Sequence, residues 1–203
     1  MMKKKMILTA MVAMLAMVCW GQQAAKAKKI LDKTAQTLNA QGGASAHFTL
    51  SSDGIGSTSG TIAIKGVKFR ATTPEASTWY NGTTQWTYMK KTEEVNVSNP
   101  DERQQSQLNP YQFITMYKSG YRLSMKEVAG GWEVHLKALS LGRSIQEMYV
   151  TVSKQYVPTK VRLREGKKWS TITISDFKAG NQSDDTFTFP AKDYPNAEII
   201  DLR

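Results

Sequence analysis

The sequence predicts a mainly β protein with a helical cover, and three observations carry that expectation. Between Gly60 and Val97 the apolar side chains fall at alternating positions within short runs: Ile62 and Ile64, then Phe69, then Trp79, then Trp86 and Tyr88, then Val95 and Val97. Period two marks a strand with one buried face and one wet face. Turn residues punctuate the runs, with Asn81-Gly82, Gly130-Gly131 and Glu165-Gly166 reading as hairpins. Helical spacing is confined to the start of the chain and to one excursion near its middle.

Lys3, Lys4 and Lys5 precede an apolar run from Met6 to Val18, which suits the h-region of a secretory leader and is short for a membrane span. Cys19 and Gly21 supply small residues for cleavage before Gln22, so residues 1–21 read as a signal peptide and 22–203 as a single exported domain. About 182 residues suffice for one sizeable core and are few for two. Cys19 also admits a second reading, as the lipid-modified first residue of a lipoprotein, although Val18 before it and Ala16 three before it depart from that pattern. It is the only cysteine, so a chain cleaved after Gly21 has neither disulfides nor a thiol nucleophile.

From Ala24 to Ala40, Ala27, Ile30, Leu31, Thr34, Ala35 and Leu38 share a helical stripe, with Lys26, Lys28, Lys29 and Lys33 largely on the other side. Gln41-Gly42-Gly43 ends this helix. Ala44 to Ser52 opens the sheet, with Ala46, Phe48 and Leu50 alternating against polar neighbours. Asp53 to Ser59 is a Gly/Ser turn. After Val97 the run Ser98-Asn99-Pro100-Asp101 stops the strand, and two short helices are expected over Pro100 to Leu108 and Tyr111 to Lys118, the second placing Phe113, Met116 and Tyr117 on one side. Alternation then resumes at Tyr121, Leu123 and Met125; at Trp132, Val134 and Leu136; at Met148, Val150 and Val152; at Val161 and Leu163; at Ile172 and Ile174; and at Phe187 and Phe189. The total is about eleven strands.

Catalytic chemistry is not visible in the pattern. His47 and His135 each sit beside apolar strand residues and point to the polar face, which suits surface or structural roles. Glu93 and Glu94 are adjacent on a strand and so face opposite ways, and Asp184-Asp185 reads as a turn. No nucleophile elbow, zinc-binding helix or phosphate-cradling loop occurs, so the sequence argues against an enzyme and implies no cofactor or metal. The formal charge of +10 falls to +7 when three lysines leave with the leader. Its scattered basic residues lack an aromatic-basic platform, which argues against nucleic acid and leaves anionic headgroups, acidic partners or simple solubility.

Several segments together resemble the periplasmic lipoprotein carriers of the LolA type. They are the leading amphipathic helix, the Phe48 strand, Gly60 to Lys65 as G-x-I-x-I-K followed by Lys68-Phe69-Arg70, and Asn81 to Tyr88, which is similar to the family's D-G-x-x-x-W-x-Y turn and strand. Val157-Pro158, the ITISDF segment from Ile172 to Phe177, and Phe187-Thr188-Phe189-Pro190 extend the resemblance over nearly the whole exported chain. One departure concerns the lid. Where many members carry a basic residue and a proline after the G-x-[IL]-x-[VI]-K strand, this chain reads Gly66-Val67, and Arg70 is not assigned the latch role of that arginine.

The resemblance implies a single curved antiparallel sheet, an incomplete β-barrel whose concave face is covered by the N-terminal helix and the helical insertion. It implies a monomeric periplasmic carrier that takes the acyl chains of lipoproteins into an apolar cavity and moves them from the inner to the outer membrane. Burial of each methylene is worth about 0.8 kcal/mol, so a chain of about fifteen methylenes needs an escort through water worth on the order of 12 kcal/mol. The expected cavity face carries Phe48, Leu50, Ile62, Ile64, Phe69, Trp79, Trp86, Tyr88, Val95 and Val97, with Phe113, Met116 and Tyr117 as lid. The same stripe also suits plain packing against a helix, and the residues alone leave both roles open. Implied partners are lipoproteins, an ATP-driven inner-membrane release complex, and an outer-membrane acceptor or the outer membrane itself. The alternative on the same scaffold is an acceptor or lipid-sensing lipoprotein anchored through Cys19.

Overall fold

The structure, a computed structural model, describes residues 2–54, 56–101 and 115–203, with residues 2–20 described as backbone only. Helix α1 (Met2–Asn39) runs without a break through the expected boundary at Gly21. Twelve strands follow: β1 (Ala44–Ser52), β2 (Gly56–Lys65), β3 (Lys68–Thr72), β4 (Ala76–Tyr80), β5 (Gln85–Met89), β6 (Glu94–Ser98), β7 (Tyr121–Val128), β8 (Gly131–Ala138), β9 (Ile145–Ser153), β10 (Pro158–Glu165), β11 (Lys168–Ala179) and β12 (Glu198–Asp201).

All twelve belong to one curved, open sheet in the order β12-β6-β5-β4-β3-β2-β1-β11-β10-β9-β8-β7. The edges β12 and β7 are not paired with each other, so the barrel is incomplete, as expected. Pairing is antiparallel throughout except at β12, which lies parallel to β6 with Ile199 opposite Val95. One expectation fails at this end of the chain. Phe187 and Phe189 are not on a strand: Asp184–Phe187 is a 3-10 turn, and the last strand comes later, from Glu198. Of the expected mid-chain helices, Met116–Lys118 forms a single 3-10 turn, and the rest of that stretch lies largely outside the described residues.

Turn chemistry sets the hairpins. At the β2–β3, β7–β8 and β10–β11 turns, Gly66, Gly130 and Gly166 hold φ of +57°, +81° and +58°, which is costly for other residues. The Asn81-Gly82 signal yields a four-residue loop rather than a two-residue one. Only Gly82 takes positive φ, while the Asn81 side-chain oxygen accepts the Thr83 and Thr84 amides at 3.0 and 2.9 Å. The amide-bonding capacity of Asn thus decides the turn.

Cross-strand register places one continuous apolar surface on the inside of the sheet. Met125 faces Val134, which faces Val150, then Val161, then Ile172, and Ile172 faces Leu50 on β1. Helix α1 packs onto this surface with the stripe read from the sequence: Ala27, Ile30, Leu31, Thr34 and Leu38 are buried. The buried Thr34 hydroxyl donates to the Ile30 carbonyl at 3.0 Å, so this hydroxyl is not orphaned under the helix. Two core clusters result. The larger joins Ile30 and Leu31 to β7–β10, and the smaller joins Leu38 to Ala44, Ile64, Phe69 and Tyr80.

Candidate functional site

Between the two core clusters the inner face is not filled. A cavity of about 80 Å³, open on one side, is lined by Leu38 of α1, Ala44 and Ala46 of β1, Ile62 and Ile64 of β2, Pro158 and Val161 of β10, and Ile172, Ile174 and Phe177 of β11. The backbone neighbour Ser45 completes the wall. The gap has a sequence cause. Ala44 stands opposite Ile64 and Ala46 opposite Ile62, so β1 presents methyl groups where β2 presents large side chains.

A bulge deepens it. The β1–β11 register shifts between Ser45 and His47, and Asp176 in the shifted segment takes φ of +51°, uncommon for a residue other than glycine. On the outside, His47 Nδ1 lies 2.9 Å from the Asp176 carboxylate, a contact that lowers the Asp176 pKa and ties the bulge down. His47 is therefore structural and points to the polar side, as read. His135 likewise lies outside, stacked on Tyr149 and 2.9 Å from Glu147, which also accepts from Tyr149 and Arg164. Burial pushes the Glu147 pKa up, and these three donors together outweigh it, leaving a net lowering. Among the described residues no group of three or more His, Cys, Asp or Glu side chains could hold a metal.

Helix α1 closes the cavity through polar ties at its second half. Asn39 Oδ1 accepts the Gly66 amide at 2.9 Å, Lys33 Nζ donates to the Tyr156 hydroxyl at 3.2 Å, and the Tyr117 hydroxyl donates to Asp32. The Gly66-Val67 turn, where the resemblance led one to look for a basic latch, is itself a point of attachment. Its backbone N–H, rather than a side chain, holds the helix end.

The expected site residues divide. Ile62 and Ile64 line the cavity, and Phe48, Leu50 and Phe69 share its face without lining it. Trp79, Trp86, Tyr88, Val95 and Val97 do not. Phe69 pairs with Tyr80, so Trp79 points through the other side, and Trp86, Tyr88, Val95 and Val97 follow it strand by strand. The expected single face is corrected to two. The outer aromatic group is covered by the chain's own C-terminal segment, with Trp79 edge-on to Phe189 at 5.4 Å and to Tyr194 at 5.8 Å, and Tyr88 against Tyr194 at 4.6 Å.

The lid residues also move. Met116 and Tyr117 pack on the larger core cluster beside α1 instead of over the cavity, and Phe113 lies outside the described residues. Sequence reasoning missed Leu38, Ala44, Ala46, Pro158, Val161, Ile172, Ile174 and Phe177 as lining, and Asn39 as a tie. The signal available was the small pair Ala44 and Ala46 in a strand otherwise alternating with Phe48 and Leu50.

The family profile described as outer membrane lipoprotein carrier protein LolA matches residues 17–167. No curated protein matches the sequence. Among solved structures, the chain is similar to an uncharacterized conserved protein from Thermus thermophilus, at 15% identity and a TM-score of 0.57, covering 87% of this chain and 99% of that one. It is also similar to a LolA superfamily protein from Nitrosomonas europaea (11% identity, 80% and 97% covered, TM-score 0.45) and to a putative outer membrane lipoprotein-sorting protein domain from Vibrio parahaemolyticus (13%, 79% and 97%, TM-score 0.43). Among the described residues no helix is long and apolar enough to cross a membrane. The sequence match covers about three quarters of the chain and the twelve-stranded open sheet agrees with it, so the protein belongs to the LolA outer membrane lipoprotein carrier family, whose members are carriers and binding proteins and not enzymes.

Proposed function

We propose that this protein is an exported carrier, freed of residues 1–21, that takes lipoprotein acyl chains between α1 and the inner face of the sheet and shuttles them from the inner to the outer membrane. The observation that carries the reading is the apolar cavity under the C-terminal half of α1, bounded by a helix held through a few polar ties. At about 80 Å³ it is smaller than the roughly 150 Å³ cavity that accepts a benzene ring. An acyl chain therefore enters by lifting the helix end and running along Ile62, Ile172 and Ile174 toward the half-buried Phe48 and Leu50. Loading would come from an ATP-driven inner-membrane complex and delivery would go to an outer-membrane acceptor or to that membrane directly.

The test is uptake of a fluorescent acylated peptide. Ile62 is half-buried, so Ile62→Glu leaves the fold and places a charge on the cavity wall, where binding should fall by at least tenfold. Unchanged uptake by a folded Ile62→Glu protein would refute the cavity as the acyl site.

A further inference from the structure

The β8–β9 loop presents the most exposed large apolar side chain among the described residues. Leu141 is 94% exposed and Leu139 65%, and neither lines the cavity. The loop is built to hold them there. The Leu139 amide donates to the Gly120 carbonyl at 3.0 Å, the Arg143 amide to the Ser140 carbonyl at 3.4 Å, and the Gly142 amide to the Ser140 hydroxyl at 3.3 Å. Arg143 lies over the Tyr121 ring at 5.1 Å, and its guanidinium fills the space in which Gly120 would carry a Cβ.

The charge around this tip has one sign in excess. Arg122 on β7 stands directly opposite Lys137 on β8, an arrangement of like charges that destabilises a sheet. Both are exposed, and neither side chain has an ion pair or hydrogen bond among the described residues. They line a hollow of about 600 Å³ together with Ser124 and His135, while Lys118 is exposed two residues before Gly120. The acid facing Lys137 across β9, Glu147, is already engaged by Arg164 and His135. Gln23 and Ala24 line the same hollow, so α1 enters the domain at this edge.

We propose that this edge docks on an anionic lipid bilayer, with Leu139 and Leu141 entering the headgroup boundary and Arg122 and Lys137 taking the lipid phosphates. Leucines ringed by basic side chains are the pattern that binds such a surface, since apolar insertion and attraction to anionic lipid add together. Docking at this edge does not rest on the cavity reading, and the two fail separately.

The test uses the protein in the form its host exports, sedimented with vesicles of phosphatidylcholine alone or mixed with phosphatidylglycerol. Binding is expected to the mixed vesicles, weakening as salt is raised. Leu139→Ser with Leu141→Ser should lower it by about tenfold or more, and Arg122→Gln with Lys137→Gln should abolish the preference for phosphatidylglycerol. Circular dichroism and a thermal melt unchanged from the parent protein certify the fold of both variants, independently of any acyl binding. Binding equal to both vesicle types, no binding at all, or full binding by the double serine variant each overturns the proposal, as does a loop that proves to bind a protein acceptor and ignores lipid.

Discussion

Asn39 and Gly66 show how one side chain can decide when a cavity opens. The Asn39 side-chain amide also donates to the Ala35 carbonyl, so the residue is anchored to its own helix while its oxygen holds the β2–β3 turn. Replacing Asn39 by Ala removes about 1 kcal/mol of net hydrogen bonding at a partly exposed site. The Gly66 N–H can then turn to water. Faster uptake and faster release of an acylated peptide are expected, by about fivefold each, with little change in affinity; stopped-flow fluorescence measures it, and unchanged rates would show that this tie does not gate entry. Asp32 makes the Tyr117 tie sensitive to acid. Its hydrogen bonds from Lys28 and Tyr117 lower its carboxyl pKa below the usual 3.8, more than its slight burial raises it. Because the folded pKa is the lower one, the stabilisation is fully present above about pH 4 and fades as pH falls through the folded value. Tyr117→Phe should therefore lower the thermal midpoint at pH 7 and make a shrinking difference below pH 4, which melts at several pH values can follow.

At the scale of elements, much of the sheet was legible because alternation and turn residues act locally. The apolar face of each strand from β7 to β10 and the stripe on α1 needed only period two and period 3.6. The faces of β4 to β6 were not legible, and Trp79-Tyr80 shows why. Both are buried, one on each side of the sheet, so the local pattern has no preferred face. Register is decided by the link from Thr72 to Ala76, which pairs Phe69 with Tyr80; a slip of one residue would exchange the faces. The covering of the outer face came from Phe189 and Tyr194, about a hundred residues away, beyond the reach of any local pattern. Cavity position was half legible, since Ile62 and Ile64 were in the expected set while the vacancy itself arises from the smallness of Ala44 and Ala46. This division yields a prediction for β4. Trp79→Ala removes a side chain 1% exposed and should cost about 3–5 kcal/mol in denaturant unfolding. Acyl binding measured where the variant remains folded should be unaltered, whereas a large specific loss would return Trp79 to the binding face.

For the whole molecule the question is how an open sheet with one covering helix stores room for a guest larger than its resting cavity. The two core clusters give an answer. The larger grips α1 at Ala27, Ile30 and Leu31 against fully buried Val134, Leu136 and Val150, while the smaller holds the far end through Leu38 and Asn39 beside the cavity. A guest that replaces the Leu38 contacts with its own methylenes repays the apolar burial lost there, so the helix end can lift while its middle stays seated. Local opening of this kind draws on the least protected part of an element. Amide exchange should then respond with opposite signs. On adding the acylated peptide, amides near Leu38 should exchange faster, because that end of the helix loses its packing on the sheet, and those of Ile62, Ile172 and Ile174 should slow as the guest excludes water. Amides around Leu31 should hold their rates. Uniform slowing along α1 would mean that the guest binds under a closed helix, and the lifting of its end would be wrong.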